Sequence, residues 1–180
     1  MHEKEFRKTK NGTGRMTHLS LPNSYLFVGI DFTDHKRLNA LLDDPNYEPF
    51  ILYPSDQALN LSTHKLSMPE GKNPLFILID STWACSKKMI KLSSNLSSLP
   101  KVSFTTTQTS NFAIKEQPKA YCLSTIETTH KILELLSQQN IENFPQENLA
   151  KLLQPFTSMI NYQLQAANDA NVRYKAPTKR

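Results

Sequence analysis

The chain has 180 residues, of which 38% are hydrophobic, and this length suits one domain with a sizeable core. The hydrophobic content is too high for disorder throughout, no run is long enough to cross a bilayer, and the N-terminus lacks the apolar stretch of a signal peptide. A net charge of +5 with a pI near 9.2 is compatible both with a polyanionic partner such as a nucleic acid and with a solvated basic surface.

Cysteine, histidine and glycine usage narrows the class of protein further. The two cysteines, Cys85 and Cys122, form no C-x-x-C pair, so we expect a reduced, cytoplasmic protein. The five histidines show no ligand spacing, and we expect no metal site built from this chain. A phosphate-binding loop motif is absent, and the segment Gly12-Thr13-Gly14 predicts a turn.

The first half of the chain predicts strands, one helix and a long polar loop. A strand is expected over 25–28 and a second over 50–53, with a short helix over 34–42 between them. Residues 55–73 are polar and rich in turn formers, which predicts a loop with at most a short strand.

The second half predicts a buried strand followed by alternating elements. Residues 75–79 are all apolar, which indicates a strand buried on both faces, as in a parallel sheet. A helix is expected from Ser81, with four apolar residues on one face: Met89, Leu92, Leu96 and Leu99. A strand over 101–104 and helices over 124–140 and 147–167 complete the pattern, which predicts an α/β fold.

Two polar segments lie where a ligand of such a fold would bind. In open α/β sheets the ligand occupies the crevice at the carboxyl ends of the strands. Asp80 and Trp83 follow one predicted strand, and Tyr53-Pro54-Ser55 follows another. Both segments are therefore expected near one crevice.

Each polar segment also has a purely structural interpretation. In Asp80-Ser81-Thr82-Trp83, the first three residues are good helix N-caps, and tryptophan is a frequent core residue. Ser124 and Glu127 fit the S-x-x-E capping box at the start of a helix. For Trp83, packing in the core and contact with a substrate stay open at this point.

The order of six short motifs gives the chain a specific resemblance. It contains H-x-K-E at 2–5, N-G-T-G-R at 11–15, Y-x-P-F-I-L-Y-P at 47–54, D-S-T-W at 80–83, F-x-x-K-x-x-P at 112–118 and L-S-T-I-E at 123–127. The series closely resembles the DTW-domain family of tRNA-uridine aminocarboxypropyltransferases. The resemblance extends from residue 2 to about residue 165, and six motifs in matching order are a strong signal.

The resemblance implies a fold, a reaction and partners. The implied fold is a SPOUT-like α/β fold, a mostly parallel sheet flanked by helices with a C-terminal trefoil knot. The implied activity transfers the 3-amino-3-carboxypropyl group of S-adenosyl-L-methionine to the imide nitrogen of a uridine in tRNA. No membrane partner is expected, and the sequence does not decide between a monomer and a homodimer.

The resemblance also assigns roles to residues that match the motifs. The residues matched to the reaction centre are Asp80, Thr82 and Trp83, with Glu127 as a second carboxylate. The residues matched to the cofactor pocket are Leu52, Tyr53, Pro54, Ser55, Asp80, Leu123, Ser124 and Thr125. The residues expected to contact RNA are His2, Glu5, Asn11, Thr13, Arg15, Lys87, Lys88 and Lys115.

The chain departs from the family pattern in three places. Glu3 stands where proline is usual, and Lys115 stands where arginine is usual, which keeps the charge but loses the bidentate fork. The family's N-terminal cysteine cluster and first strand have no counterpart. We therefore expect a single DTW domain over 1–168, followed by a flexible basic tail over 169–180.

The implied chemistry suits a carboxylate. A uridine imide nitrogen is mostly protonated at neutral pH, and a positioned carboxylate accepts the proton during attack. Asp80 is the expected base, with Glu127 behind it, while Trp83 offers a flat face to a base pulled from its stack. A SPOUT-type RNA methyltransferase and an inactive RNA-binding relative stay open as alternatives.

Overall fold

The computed structural model describes residues 1–112 and 122–168. The helices in this part are α1 (Glu3–Lys8), α2 (Thr13–Ser20), α3 (Lys36–Leu42), α4 (Trp83–Leu92), α5 (Ser94–Ser97), α6 (Thr125–Gln138) and α7 (Gln146–Asn168). The strands are β1 (Tyr47–Leu52), β2 (Leu59–Asn60), β3 (Asn73–Leu78) and β4 (Lys101–Ser103).

The four strands form one parallel sheet in the order β2-β4-β1-β3. The longest pairing joins β1 to β3, from Tyr47 opposite Asn73 to Leu52 opposite Leu78. Helices flank the sheet, so the predicted α/β class with a parallel sheet is confirmed. The trefoil knot stays a prediction.

Successive residues of β1 face opposite sides of the sheet, and each side has its own core. Phe50 packs with Val102 and with α6 through Ile132, Leu135 and Leu136. Ile51 packs on the other side with residues of α3, α4 and α5, which are Leu38, Met89, Ile90 and Leu96. This alternation is why the strand is apolar at both positions.

A third cluster lies away from the sheet and fixes α7 and α2 against α6. Its buried members are Ile126, Leu152, Phe156 and Ile160, with Met16 of α2 packed against them. α7 continues through Pro155. Within the described ranges, no helix combines the length and apolar character that a membrane crossing requires.

The predicted strand over 25–28 is wrong. These residues belong to no strand of the sheet. The backbone here is hydrogen-bonded to Met1, whose amino group donates to the Phe27 carbonyl and whose carbonyl accepts from the Gly29 N–H. Residues with high strand propensity therefore lie outside the sheet here, because a segment becomes a strand only when another strand pairs with it.

The predicted continuous helix after Ser81 is divided at Ser93. This residue is fully buried, leaves helical geometry with ψ of 95°, and its hydroxyl accepts from the backbone N–H of Phe32 at 3.0 Å. α4 therefore ends at Leu92, which is exposed rather than on the buried face. The three-and-four spacing of apolar residues continues across the break without revealing it.

Two N-terminal helices were not predicted from the sequence. α1 is short and strongly charged, and Gly12-Thr13-Gly14 is the start of α2 rather than a turn, with Gly12 as its N-cap. The other helices and strands lie within a few residues of the predicted positions. The basic tail over 169–180 lies outside the described residues.

Candidate active site at the carboxyl edge of the sheet

The site lies where β1 and β3 end side by side. Leu52 and Leu78 are paired in the sheet, so the residues that follow them, Tyr53 and Asp80, leave the same edge. This is the edge at which open α/β sheets bind ligands. The sequence-based expectation that these two segments lie close together is confirmed by the contact described below between Tyr53 and Trp83.

The Asp80 carboxylate joins three segments that are distant in the sequence. Its Oδ1 atom accepts a 2.7 Å hydrogen bond from the hydroxyl of Thr125, the first residue of α6. Its Oδ2 atom faces Gly14 in the first turn of α2. Within residues 1–112 and 122–168, no hydrogen-bond donor is assigned to Oδ2. One carboxylate oxygen is therefore held by Thr125, and the other lies against Gly14 without an assigned donor.

Gly14 is present because Asp80 leaves no room for a side chain. A methyl group built on Gly14 would lie 2.6 Å from Cγ and 3.0 Å from Cβ of Asp80, both inside van der Waals contact. The backbone of α2 can approach the carboxylate this closely only at a residue without Cβ. Gly14 was not among the site residues predicted from the sequence, because its position in N-G-T-G-R suggests a turn.

His2 fixes the backbone at the same place. Its N–H donates to the Asp80 carbonyl at 3.1 Å, and its buried ring caps α1 by accepting from the Lys4 N–H at 3.1 Å. A buried backbone carbonyl at a strand end needs such a partner. His2 thereby lies next to Asp80, while its predicted contact with RNA stays a prediction.

Thr82 and Trp83 begin α4 beside the carboxylate. Thr82 is the N-cap, and its hydroxyl accepts from the Cys85 N–H at 3.4 Å, so the capping interpretation of D-S-T-W falls on Thr82 rather than Asp80. Trp83 is 48% exposed and its ring centroid lies 6.4 Å from that of Tyr53, at a tilt of 55°. The core-packing interpretation of Trp83 is therefore wrong, and two aromatic rings border the edge of the sheet.

Glu127 is buried one turn into α6, and its carboxylate is occupied. It accepts from the Ser124 N–H (2.8 Å) and hydroxyl (2.6 Å), from the Ser110 hydroxyl (2.7 Å) and from the Asn111 N–H (2.7 Å). The capping box predicted from the sequence is confirmed. Ser110 gave no signal in the sequence, since it lies in a run of serines and threonines.

The remaining residues matched to the cofactor pocket lie at the same edge with different exposure. Leu52 is half-buried against the core under α6. Pro54 and Ser55 are exposed, Ser124 is buried and Leu123 is half-buried. Their predicted contacts with a cofactor stay predictions.

The described residues matched to RNA contacts lie in two places, the N-terminal segment with α1 and α2, and helix α4. Arg15 is held by α1, because its guanidinium lies 4.3 Å from the centroid of the Phe6 ring and Nη2 donates to the Phe6 carbonyl at 3.2 Å. Three further residues of the N-terminal segment were matched to RNA contacts. Glu5 is half-buried, Asn11 is exposed and Thr13 is buried.

Lys87 and Lys88 are exposed on α4, the helix that begins at Trp83, and neither forms an ion pair with a described residue. Lys115 lies outside the described residues. In the described ranges, no group of three or more histidine, cysteine, aspartate or glutamate side chains is placed to hold a metal ion.

The chain is an α/β protein whose parallel sheet carries, at the edge where such sheets bind ligands, a carboxylate held by Thr125 and two aromatic rings. The model of the DTW domain family matches residues 1–164, and the chain belongs to this family. No solved structure matches the chain.

Three proteins similar to this chain share one name. A Mus musculus protein named tRNA-uridine aminocarboxypropyltransferase 2 is 37% identical over 139 residues, which are 77% of this chain and 44% of the relative. Proteins of the same name are 31% identical over 142 residues in Drosophila melanogaster (77% and 52%) and 33% identical over 115 residues in Macaca fascicularis (64% and 36%). The chain spans about half or less of the length of these relatives.

Proposed function

We propose that the chain transfers the 3-amino-3-carboxypropyl group of S-adenosyl-L-methionine to the imide nitrogen of a uridine in tRNA. Membership of the DTW domain family supports this proposal, together with the names of the relatives. The observation that carries it is the Asp80 carboxylate, three residues before the exposed Trp83, in which Oδ1 is held by Thr125 and Oδ2 has no assigned donor.

In this proposal Asp80 is the general base. As the imide nitrogen forms its bond to the first carbon of the aminocarboxypropyl chain, Oδ2 of Asp80 accepts the imide proton. The bond between that carbon and the sulfonium sulfur breaks, and its electron pair leaves with the sulfur as 5′-methylthioadenosine. The hydrogen bond from Thr125 to Oδ1 keeps Oδ2 in one orientation. A base that is already oriented toward the proton lowers the barrier to the reaction.

The aromatic rings suit the flat groups of the two substrates. The donor supplies an electrophilic carbon and a sulfonium leaving group. Trp83 and Tyr53 lie at the edge where Asp80 emerges, and the exposed face of Trp83 can stack on the uracil ring. The segment Tyr53-Pro54-Ser55 and the start of α6, Leu123 to Thr125, are the residues that we assign to the donor.

The identity of the released nucleoside tests the proposal. The chain is incubated with S-adenosyl-L-methionine and bulk tRNA, and both products are separated by chromatography. We expect 5′-methylthioadenosine and 3-(3-amino-3-carboxypropyl)uridine in equal amounts. Stoichiometric S-adenosylhomocysteine without methylthioadenosine would show methyl transfer instead, and the absence of any turnover would leave an RNA-binding relative.

The outer face of α4 supports RNA as the second substrate. Lys87, Lys88 and Lys91 are exposed, and Lys87 and Lys91 follow Trp83 by about one and two turns of α4. No acidic residue occurs from 81 to 112. Lysines without acidic neighbours attract phosphates, whereas lysines paired with carboxylates contribute little to RNA binding.

Replacing these lysines should weaken tRNA binding in a salt-dependent way. In the triple variant Lys87→Ala, Lys88→Ala, Lys91→Ala, the slope of log binding constant against log salt should flatten by about 2 to 3, since each phosphate contact contributes about 0.7 to 0.9. Fluorescence anisotropy with labelled tRNA measures this slope.

The matched control for this variant removes the same charge from exposed basic residues elsewhere in the chain that form no ion pair with a described residue, Lys36, Arg37 and Lys65. Equal flattening of the slope in the two triple variants would show that the charge acts without regard to its position, and that the face of α4 has no special role.

A further inference from the structure

Within the described part of the chain, the Thr125 hydroxyl is the hydrogen-bond donor to the side chain of Asp80, the proposed general base. It donates to Oδ1 of Asp80 at 2.7 Å, across 45 positions of the sequence. A carboxylate on the short connection between β3 and α4 can rotate about χ1 and χ2 unless a donor holds one oxygen. The hydrogen bond from Thr125 and the close approach of Gly14 together restrict the rotation of the Asp80 side chain.

The position of Thr125 is itself set by Glu127. Thr125 follows the N-cap Ser124, and Glu127 accepts hydrogen bonds from both the N–H and the hydroxyl of Ser124. The same carboxylate holds Ser110 and Asn111 of the segment after β4. Glu127 therefore fixes the first turn of α6 against a second segment, and the Thr125 hydroxyl projects from that turn toward Asp80.

The contacts of Glu127 leave it unsuited to proton transfer. Three donors, from Ser110 and Ser124, reach its Oε2, the Asn111 N–H reaches its Oε1, and only 8% of the residue is exposed. A general base needs a lone pair within reach of the substrate proton. The oxygen that meets this requirement is Oδ2 of Asp80.

We propose that Thr125 is a positioning residue that orients the Asp80 carboxylate, and that Glu127 acts on the site through this hydroxyl rather than as a second base. The kinetic part of this inference rests on the proposed function. The structural part, an energetic coupling between Thr125 and Asp80 that depends on Glu127, stands independently of turnover.

A double-mutant cycle on stability tests the structural part without substrate. Thr125→Val should lower the urea midpoint of the wild-type chain, because the substitution keeps the shape but removes the donor, and it should have no such effect in an Asp80→Ala background. In a Glu127→Gln background the same coupling should shrink. An equal midpoint change with and without the Asp80 carboxylate would overturn the inference.

The kinetic part separates Thr125 from a residue that only supports the fold. Thr125→Val should lower kcat by about 10- to 100-fold, the effect of a misplaced catalytic group, while the KM for tRNA stays near the wild-type value. Thr125→Ser retains the donor and should restore most of kcat. The matched control is Thr128→Val on the same helix, since no described residue is assigned a hydrogen bond with its hydroxyl.

Combining the variants decides the role of Glu127. If Glu127 acts through Thr125, adding Glu127→Gln to Thr125→Val lowers kcat no further, and an additional loss would identify Glu127 as a separate participant. A wild-type chain that folds but does not turn over would refute the proposed function. In that case the stability cycle alone decides the coupling between Thr125, Asp80 and Glu127.

Discussion

Replacing Asp80 by asparagine should lower kcat by about 10²- to 10⁴-fold, the contribution of a positioned general base, while the protein stays folded. The asparagine side chain has the same size and its carbonyl oxygen can still accept from Thr125. Its amide nitrogen, however, cannot accept a proton in place of Oδ2. Formation of 5′-methylthioadenosine under saturating tRNA measures the loss.

The control for this variant is Asp34→Asn, which makes the same chemical change at an exposed residue just before α3. Thermal unfolding of both variants checks that the fold is retained. Turnover of Asp80→Asn near the wild-type rate would mean that the carboxylate serves only to join β3, α2 and α6, and the base would have to be sought elsewhere.

The location of Asp80 was predictable because the strand before it carries a strong signal. Residues 75–79 are apolar without interruption, and β3 extends from Asn73 to Leu78. A polar residue directly after an apolar parallel strand lies at the carboxyl edge, where ligands bind. For the same reason Tyr53 after β1 was expected at this edge. The predicted burial of β3 on both faces is wrong, because β3 is the edge strand of the sheet and its residues 74–78 are half-buried.

The immediate neighbours of Asp80 were not predictable, because long-range contacts rather than local patterns place them. α1 and α2 have six and eight residues, too few for an isolated helix to be stable. The contacts of His2 with Asp80 and of Arg15 with Phe6 hold these helices in place. The six-motif resemblance located the segments but did not show that Gly14 faces a carboxylate.

Trp83 and Glu127 show how the same motif supports two interpretations. The buried side of α4 carries Met89 and Ile90, and Trp83, seven residues before Ile90, lies on nearly the same side of the helix. Trp83 is nevertheless 48% exposed, because it is the first residue of α4 and the pattern of the helix does not show how far the core extends toward its start. The S-x-x-E pattern correctly predicted a capping box at Glu127, but it carries no information on the further donors Ser110 and Asn111.

Replacing Gly14 by alanine should reduce both stability and turnover, although alanine is the better helix former by about 1 kcal/mol. The new methyl group would lie 2.6 Å from Cγ of Asp80, so either the carboxylate rotates away from Thr125 or α2 moves off the sheet edge. Overpacking of this kind costs about 1–3 kcal/mol, and a carboxylate displaced by about 1 Å loses about 100-fold in rate. Urea unfolding and methylthioadenosine release measure the two effects.

Gly12→Ala is the control that separates crowding from a general intolerance of this segment. A methyl group there would meet its nearest neighbour, the carbonyl oxygen of Thr9, at 3.5 Å, an ordinary contact. Only the modest loss of a glycine N-cap is expected, with turnover retained. If Gly14→Ala instead behaved like Gly12→Ala, α2 would be free to shift without disturbing Asp80, and the close approach of helix and carboxylate would not be what orients the base.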